Sequence, residues 1–422
     1  MMRSDQRLEA LVPAGCHTYS KGRDQFPPNV TGLAVRGKGV RLWMDDGAEY
    51  LDWGMGLRTA LLGYAHDEVD AAAIEAIRNG QNLTRPGVPE KTLAERLVTT
   101  FPEYEMFKFA KSGSDVTAAA VRLARAHTGR NTIAMCEKDF FYSYHDWFIG
   151  STVADAGIPA FNRRLSLKFP YNDFKRLLEM VETSGDVAAI ILEPVNDEEP
   201  EDFFLQRVRE LCDRKGIVLI FDEMITGFRY AYPSVQRKLG VYADLATFGK
   251  AIGNGYSVAV LAGKRDIMEH GAIGNGRRRV FLMSATHGAE HSALAAGAKV
   301  LELLAGADYA AYHGACRRFV DGIAERIRRH GLDDRCQVRG LPFKPAIAFA
   351  SDVVKTYFYF LLAEQRVMMP YIAQAFAHSE ADVRATHDAI DRALGELKAT
   401  PEAKMAAAVG DAVLKPVFRP YN

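Results

Sequence analysis

The sequence predicts an α/β protein with a mostly parallel sheet and helices on both of its faces. Strand-like and helix-like segments alternate between residues 107 and 262, which is the pattern of parallel strands joined by helical crossovers. An apolar run from Ile217 to Phe221 ends abruptly in Asp222-Glu223, as buried strands do. A second short apolar run ends in a lone lysine, Lys250, and is followed by glycines.

The amino-terminal part combines a loop with a hairpin. The first 30 residues are interrupted by proline and glycine, so they are predicted to be irregular. Segments 40–44 and 49–53 flank the turn Asp45-Asp46-Gly47-Ala48. Alternating residues on either side of an Asp-Gly turn predict a β-hairpin.

The remaining elements follow from hydrophobic periodicity and from turn and cap residues. Strands are predicted at residues 107–110, 132–135, 187–192, 217–221, 257–262, 337–340 and 346–349. Helices are predicted at residues 67–79, 89–100, 116–127, 172–183, 203–215, 288–305, 306–331 and 380–398. The last twenty residues carry no recognisable pattern.

Length and composition limit the function classes. A chain of 422 residues is too long for one small core, so two or more domains are expected. Lys plus Arg and Asp plus Glu are both 53, which argues against a nucleic-acid partner. The five cysteines are scattered without metal-site spacing, so we expect reduced thiols, a cytoplasmic protein and no metal. We expect neither a signal peptide nor a membrane span, because the first residues are polar and no apolar run is long enough.

Asp222 and Lys250 are the candidate catalytic pair. An acid at the end of a buried strand needs a partner, and a solvated strand end or a structural ion pair is the commoner explanation of one alone. The carboxyl ends of parallel strands meet at one edge of the sheet, so Asp222 and Lys250 are expected to face the same cleft. Pyridoxal phosphate requires this pair, a lysine for the Schiff base and an acid against the pyridine nitrogen.

A candidate phosphate-binding turn precedes this pair in the chain. Ser112-Gly113-Ser114 lies between the strand at 107–110 and the helix that follows. Free N–H groups and the helix dipole at such a position favour an anion. A plain helix cap is the commoner explanation of Ser-Gly-Ser alone. The aromatic loop at residues 140–147 follows the next predicted strand.

Together these motifs resemble the class III aminotransferases, which have the type I pyridoxal-phosphate fold. The matching motifs, in order, are Ser112-Gly113-Ser114, Asp222–Arg229, Thr247–Lys250 and Thr286–Gly288. The branch most similar to this chain is the glutamate-1-semialdehyde 2,1-aminomutase-like proteins. The resemblance implies a large cofactor domain at residues 61–305. It also implies a smaller α+β domain made of residues 1–60 and 306–422.

The resemblance also implies roles for individual residues. Lys250 forms the Schiff base, Asp222 keeps the pyridine nitrogen protonated, and Met224 packs under the ring. Thr286 reaches the phosphate from the neighbouring subunit, which implies a homodimer with shared active sites. The residues implied to bind the phosphate within one subunit are Ser112, Gly113 and Ser114.

Other positions depart from the family pattern or leave alternatives open. Phe141 and Tyr142 match the Tyr-His pair of the Tyr-His-Gly motif, and either ring could stack on the cofactor. Ser20 and Arg23 match residues that hold the substrate carboxylate in the aminomutase, although a solvated loop arginine is an equal explanation of Arg23. Arg58 is a further candidate for an anionic group of the substrate.

The function implied is amino transfer between a small-molecule amine donor and an aldehyde or keto acceptor. The alternative is an intramolecular 2,1-aminomutase. We favour amino transfer because the chain has His287-Gly288-Ala289-Glu290-His291 where the aminomutase has Ser-Gly-Asn-Pro. A protein of this fold that only binds or scaffolds would have lost Lys250, which is present.

Overall fold

A computed structural model describes residues 3–137 and 141–421, and its chain divides into two compact units. The central unit is Asp67–Ala307 with the end of the chain from Pro420. The terminal unit combines the chain up to His66 with Asp308–Arg419. Within the described ranges, no helix combines the length and the apolar character needed to cross a membrane.

The elements are labelled in chain order. The strands are β1 (Ala34–Lys38), β2 (Arg41–Met44), β3 (Glu49–Asp52), β4 (Met106–Ala110), β5 (Thr132–Cys136), β6 (Ser166–Phe169), β7 (Val187–Leu192), β8 (Val218–Glu223), β9 (Leu245–Phe248), β10 (Ala259–Gly263), β11 (Cys336–Leu341), β12 (Lys344–Phe349) and β13 (Val367–Met368). The α-helices are α1 (Ser4–Leu11), α2 (Met55–Arg58), α3 (Asp67–Arg78), α4 (Val88–Thr100), α5 (Gly113–Thr128), α6 (Asp146–Ile149), α7 (Phe161–Arg164), α8 (Phe174–Ser184), α9 (Phe204–Lys215), α10 (Val235–Leu239), α11 (Arg265–Met268), α12 (His291–Ala305), α13 (Tyr309–His330), α14 (Asp352–Glu364), α15 (Glu380–Ala399) and α16 (Glu402–Val409).

The central unit contains a seven-stranded sheet in the order β4-β10-β9-β8-β7-β5-β6. Strand β10 pairs antiparallel with both of its neighbours, and the other pairs in this sheet are parallel. Strand β4 therefore runs in the same direction as β9. This confirms the predicted mostly parallel sheet, and the carboxyl ends of six strands meet at one edge.

The register of the central strands fixes which side chains meet at that edge. Asp222 on β8 lies opposite Thr247 on β9. Leu192 on β7 lies opposite Phe221, so Glu193 follows directly beside Asp222. The strands β7, β8 and β9 are buried along their whole length, which is why their sequences are apolar until these last residues.

The terminal unit contains a four-stranded sheet in the order β1-β2-β3-β13 and a separate β11–β12 hairpin. The predicted hairpin is present as the antiparallel pair of β2 and β3. Trp53 lies at the centre of this unit. Its ring stacks on Phe319 with centroids 3.8 Å apart, and its Nε1 donates to Thr386 Oγ1 at 2.9 Å.

Several helical features differ from the sequence prediction. Helix α1 lies in the stretch predicted to be irregular, and α16 lies almost wholly in the last twenty residues. Helix α14 carries apolar and aromatic residues on most of its surface and buries seven of them together with Thr356, so it lacks the one-sided periodicity that marks an amphipathic helix. Helix α12 begins at His291 rather than at residue 288.

Candidate active site

Asp222 is buried at the end of β8 and is only partly satisfied. Its Oδ1 accepts hydrogen bonds from the Met224 backbone N–H and from Thr247 Oγ1, each at 3.0 Å. Both of these hydrogen bonds fall on Oδ1, which leaves Oδ2 free of them. Burial, reinforced by the neighbouring Glu193, raises the pKa of Asp222 to about 7, and the Lys250 ammonium opposes this shift. The open oxygen can therefore receive a cationic N–H group.

Lys250 lies just beyond β9, at the start of a short 3-10 turn, Lys250–Gly253. Its φ of 46° is in the left-handed region, which is unusual for a residue with a side chain. Such strain persists only where the surrounding structure holds the backbone, and it is frequent at active sites. The Lys250 ammonium is close enough to Asp222 to lower the pKa of that carboxyl. The structure thus brings the predicted catalytic pair together.

Met224 connects the lysine segment to the Ser-Gly-Ser turn. A Cβ added at Gly249 would lie 2.0 Å from Met224 Cε, and one added at Gly113 would lie 2.7 Å from the same atom. The thioether therefore occupies the space that a side chain at either glycine would need. These glycines are needed because Met224 fills the volume between their backbones.

The Ser112–Ser114 turn has the features of an anion site. Ser112 is the N-cap of α5, but its side chain makes no capping hydrogen bond. Its buried hydroxyl makes no hydrogen bond of ordinary geometry within the described chain, and the Tyr144 phenol is its polar neighbour. The first N–H groups of a helix also lack intrahelical partners. Ser112 therefore does not act as a plain helix cap. A bound anion would accept hydrogen bonds from the Ser112 hydroxyl and from the first N–H groups of α5.

The two stacking candidates of the aromatic loop differ in their exposure. Residues 138–140, with Phe140 at the start of the loop, lie outside the described residues. Phe141 is 53% exposed, whereas Tyr142 is buried and its carbonyl accepts from Thr117 Oγ1 at 2.6 Å. Burial raises the pKa of Tyr142, and Asp222 is among the acidic groups that add to this shift, so Tyr142 lies near Asp222.

Tyr144 is a loop residue that contacts the anion turn, as Ser143 does through its hydroxyl, and it was not among the sequence candidates. Its backbone N–H donates to Ser114 Oγ at 3.0 Å, and its phenol donates to Asp115 Oδ1 at 2.9 Å. The His145 ring stacks on it with centroids 4.8 Å apart. The signal available in the sequence was the literal Tyr144-His145 pair, which is a Tyr-His pair without substitution.

Thr286 lies in a turn just before α12, and its side chain is exposed within this one chain. Four residues later Glu290 forms an ion pair with Lys111, the residue that precedes Ser112. The Thr286 segment is therefore anchored next to the Ser-Gly-Ser turn of its own chain while Thr286 itself faces outward.

Comparisons with known proteins agree with this geometry. The family model described as aminotransferase class-III matches residues 24–355, which is well over half of the chain. The chain belongs to the class III aminotransferase family. The recognition made from the motifs is confirmed, and the chain is an enzyme of that family.

Relatives and solved structures in this family cover nearly the whole chain. The glutamate-1-semialdehyde 2,1-aminomutase of Nitratidesulfovibrio vulgaris is 32% identical over 420 residues, which are 91% of this chain and 96% of that protein. The 3-aminobutyryl-CoA aminotransferase of Cloacimonas acidaminovorans is 32% identical over 419 residues, 93% and 96% of the two chains. A solved structure of the FumI protein of Sphingopyxis sp. MTA144, in its PLP internal aldimine form, superposes on this chain with a TM-score of 0.85. The two sequences are 28% identical, and the match covers 95% of this chain and 98% of the FumI chain. The class III chain therefore has the type I fold, as predicted.

The candidate substrate residues of this class III chain lie in the terminal unit. The Tyr371 hydroxyl donates to Gln25 Oε1 at 3.1 Å and has Ser20 as a polar neighbour, and the Arg58 guanidinium lies 6.0 Å from the centroid of the same ring. Arg23 forms an ion pair with Glu9 on α1 at 3.1 Å. A cavity of about 620 Å³ in this unit is lined in part by Lys21, Arg23 and Tyr371. Ser20 and Arg58 are thus brought together by Tyr371, while Arg23 already has an acidic partner.

Sequence reasoning missed two contributors, Tyr371 and Glu9, in this region. Tyr371 is 351 residues from Ser20, a difference of positions along the chain, so only tertiary structure pairs them. Glu9 lies on a helix that was predicted to be a loop.

Proposed function

We propose that this class III enzyme moves an amino group from a small-molecule amine donor to an aldehyde or keto acceptor, with Lys250 as its covalent anchor. Pyridoxal phosphate is its cofactor. The observation that carries this proposal is the pair of Asp222 and Lys250 at the carboxyl ends of neighbouring parallel strands. The central unit would be the cofactor domain and the terminal unit the small domain.

The residues present fit this cofactor. The unsatisfied Ser112 Oγ has the chemistry that its phosphate requires. Asp222 accepts its two hydrogen bonds on Oδ1, and its other carboxylate oxygen suits the ring nitrogen. Met224 would pack against the ring, and Phe141 or Tyr142 would stack on it. The phosphate would be held by Ser112, Gly113 and Ser114.

Each residue has a physical task in the reaction. When bound, pyridoxal phosphate supplies an electron sink for the carbon that carries the amine. Asp222 holds a negative charge at the ring nitrogen, because a cationic partner lowers the pKa that burial has raised. Lys250 would hold the cofactor covalently and, when free, would accept and return the proton at the reacting carbon. It must lose its own proton near neutral pH, which desolvation promotes.

The test is a comparison of two reaction mixtures. With an amine donor alone, the purified holoenzyme should release about one carbonyl product per site and shift its visible absorption. Adding a separate carbonyl acceptor should make the reaction catalytic. A protein without a visible band, or without a shift on amine addition, would contradict amino transfer.

The aminomutase alternative is favoured by the names of several relatives. It predicts catalytic rearrangement of one amino-aldehyde with no second substrate. The chain's His287–His291 segment, which differs from Ser-Gly-Asn-Pro, supports amino transfer instead. Incubation with glutamate-1-semialdehyde as the sole substrate decides between the two, because only a mutase converts it catalytically to the isomer with the amine on the neighbouring carbon.

We also propose a homodimer in which Thr286 completes the partner's phosphate site. The outward position of Thr286 supports this, since a second contact to the same phosphate must come from elsewhere. A ligand shared by two subunits stabilises the dimer reciprocally. Sedimentation at low concentration should show tighter dimers with cofactor than without, and weaker coupling in Thr286→Ala. A monomer that binds the cofactor as tightly as the dimer does would rule out the shared site.

A substrate and a location complete the proposal. Ser20, Arg23 and Arg58 are the proposed contacts for an anionic group of the substrate. The five cysteines are all free thiols and four of them are buried. This state supports the proposed cytoplasmic location, because thiols stay reduced there.

A further inference from the structure

A loop of the central unit, residues 270–282, closes on itself. The Val280 N–H donates to the His270 carbonyl at 2.9 Å, and Arg277 Nη1 donates to the Asp266 carbonyl at 2.7 Å. Leu282 is buried against Gly271, where an added Cβ would lie 2.7 Å from the leucine side chain. Compact surface loops with joined ends are frequently functional. We call this segment the arginine loop.

The arginine loop concentrates positive charge. Residues 270–289 include Arg277, Arg278 and Arg279 and no acidic residue, although the whole chain has 53 cationic and 53 acidic residues. Arg278 and Arg279 are exposed, and within the described ranges neither forms a hydrogen bond or an ion pair. Exposed guanidinium groups without acidic partners attract phosphates and can bind them with two parallel hydrogen bonds.

Apolar side chains stand on both sides of these arginines. Ile273 is 82% exposed and Phe281 is 65% exposed. The backbone of Phe281 is fixed, because its carbonyl accepts from Arg122 Nη1 at 2.5 Å. An exposed aromatic ring beside cationic groups is the combination that stacks a base while its phosphates are neutralised.

We infer that the arginine loop binds a nucleoside diphosphate group at the remote end of the substrate. This rests on the proposed function, which places Thr286 at a cofactor phosphate. Arg279 precedes Thr286 by seven residues, so the two lie at most about 25 Å apart. Binding energy from such a remote group can be used to position the reacting amine. The group could belong to a coenzyme A thioester, as in the named substrate of one relative, or to a nucleotide-linked sugar.

The test is calorimetric titration of the holoenzyme with coenzyme A and with UDP at fixed salt. The variant is the double substitution Arg278→Gln/Arg279→Gln. The matched control is Arg214→Gln/Lys215→Gln, which removes two other exposed cations at the end of α9. At least one nucleotide should bind the wild type, and the loop variant should weaken it about tenfold or more. The control should bind as the wild type does.

The two titrations also separate the two sources. Tighter binding of coenzyme A assigns the site to a thioester substrate, and tighter binding of UDP assigns it to a nucleotide-linked sugar. No binding of either nucleotide to the wild type, or equal weakening in the control, overturns the inference. Amino transfer from a small donor without phosphate is measured on the same preparations. If that transfer persists while nucleotides do not bind, only the loop assignment fails; if it is absent, the proposed function fails.

Discussion

The candidate residues for the cofactor and for the substrate differ in how firmly the protein holds them. In the central unit, Asp222 is buried, two hydrogen bonds orient it, and Met224 fills the space next to Lys250. In the terminal unit, Ser20 lies in a 3-10 turn, and the Arg23 side chain is 59% exposed. The first region is built from buried strand ends and the second from surface turns.

The difference indicates a division of labour. Chemistry at one carbon requires groups fixed to a fraction of an ångström, which strand ends in a packed sheet provide. Residues on exposed segments can determine which substrate binds, because they can vary without destabilising the core. Changes in the first region should therefore reduce the rate itself, whereas changes in the second should alter apparent affinity for particular substrates.

The largest effect on the rate is expected for Asp222→Asn. The amide keeps the shape but loses the charge opposite the ring nitrogen, so turnover should fall by about a hundredfold or more. Stopped-flow measurement of the donor half-reaction checks this. The exposed Asp213→Asn is the matched control and should leave the rate unchanged. Near-normal turnover of Asp222→Asn would remove this residue from the site.

A smaller loss is expected for Gly249→Ala. The new methyl would lie 2.0 Å from Met224 Cε, so the thioether must move while the fold is kept. Cofactor affinity should fall about tenfold, measured by titrating the apoprotein with cofactor. Gly306→Ala is the control, since its added carbon would make only an ordinary contact at 3.9 Å. Unchanged affinity would show that Met224 has no part in cofactor binding.

The third expected effect is on pH dependence of stability rather than on rate. Glu223 is buried and accepts from the Val235 N–H at 2.8 Å and from Gln236 Nε2 at 3.0 Å. Burial raises the pKa of Glu223 to about 7 from its ordinary 4.5. Between these values the folded state binds a proton that the unfolded state has lost. Stability of the apoprotein should therefore fall as pH rises through this window.

The variant Glu223→Gln should remove this residue's share of that decline, up to about 3 kcal/mol. Urea unfolding of the apoprotein at pH 5 and pH 8 measures it. Asp222 contributes in the same direction, so part of the decline should remain. An identical decline in both proteins would mean that Glu223 does not hold the proton.

The smallest expected effects are in the terminal unit. The Arg23–Glu9 pair is exposed, and such pairs contribute about 1 kcal/mol or less, so neither single change should alter Tm appreciably. Arg23→Gln should raise KM for a carboxylate-bearing donor, and Glu9→Gln should lower it by releasing the guanidinium. Steady-state kinetics with donors that do and do not carry a carboxylate measures both. Equal KM values in all three proteins would make Arg23 a solvated loop residue.

The sequence was most informative where function depends on local pattern. Asp222 and Lys250 each end an apolar run, and the parallel sheet places their strands side by side. It was less informative where function depends on register or on distant segments. Glu193 acts on Asp222 only because β7 pairs with β8, and Tyr371 joins Ser20 from the far end of the chain. Tyr144, which contacts Ser114, was not among the candidates, although the Tyr144-His145 pair is present in the sequence.

The central claim is that Lys250 carries the cofactor, and borohydride reduction of the holoenzyme followed by peptide mapping tests it most directly. We predict that the reduced cofactor is found on the peptide containing Lys250. In Lys250→Ala the phosphate and ring contacts should still bind the cofactor, but without covalent label and with negligible turnover. Label on any other lysine, or normal turnover of Lys250→Ala, would contradict the account.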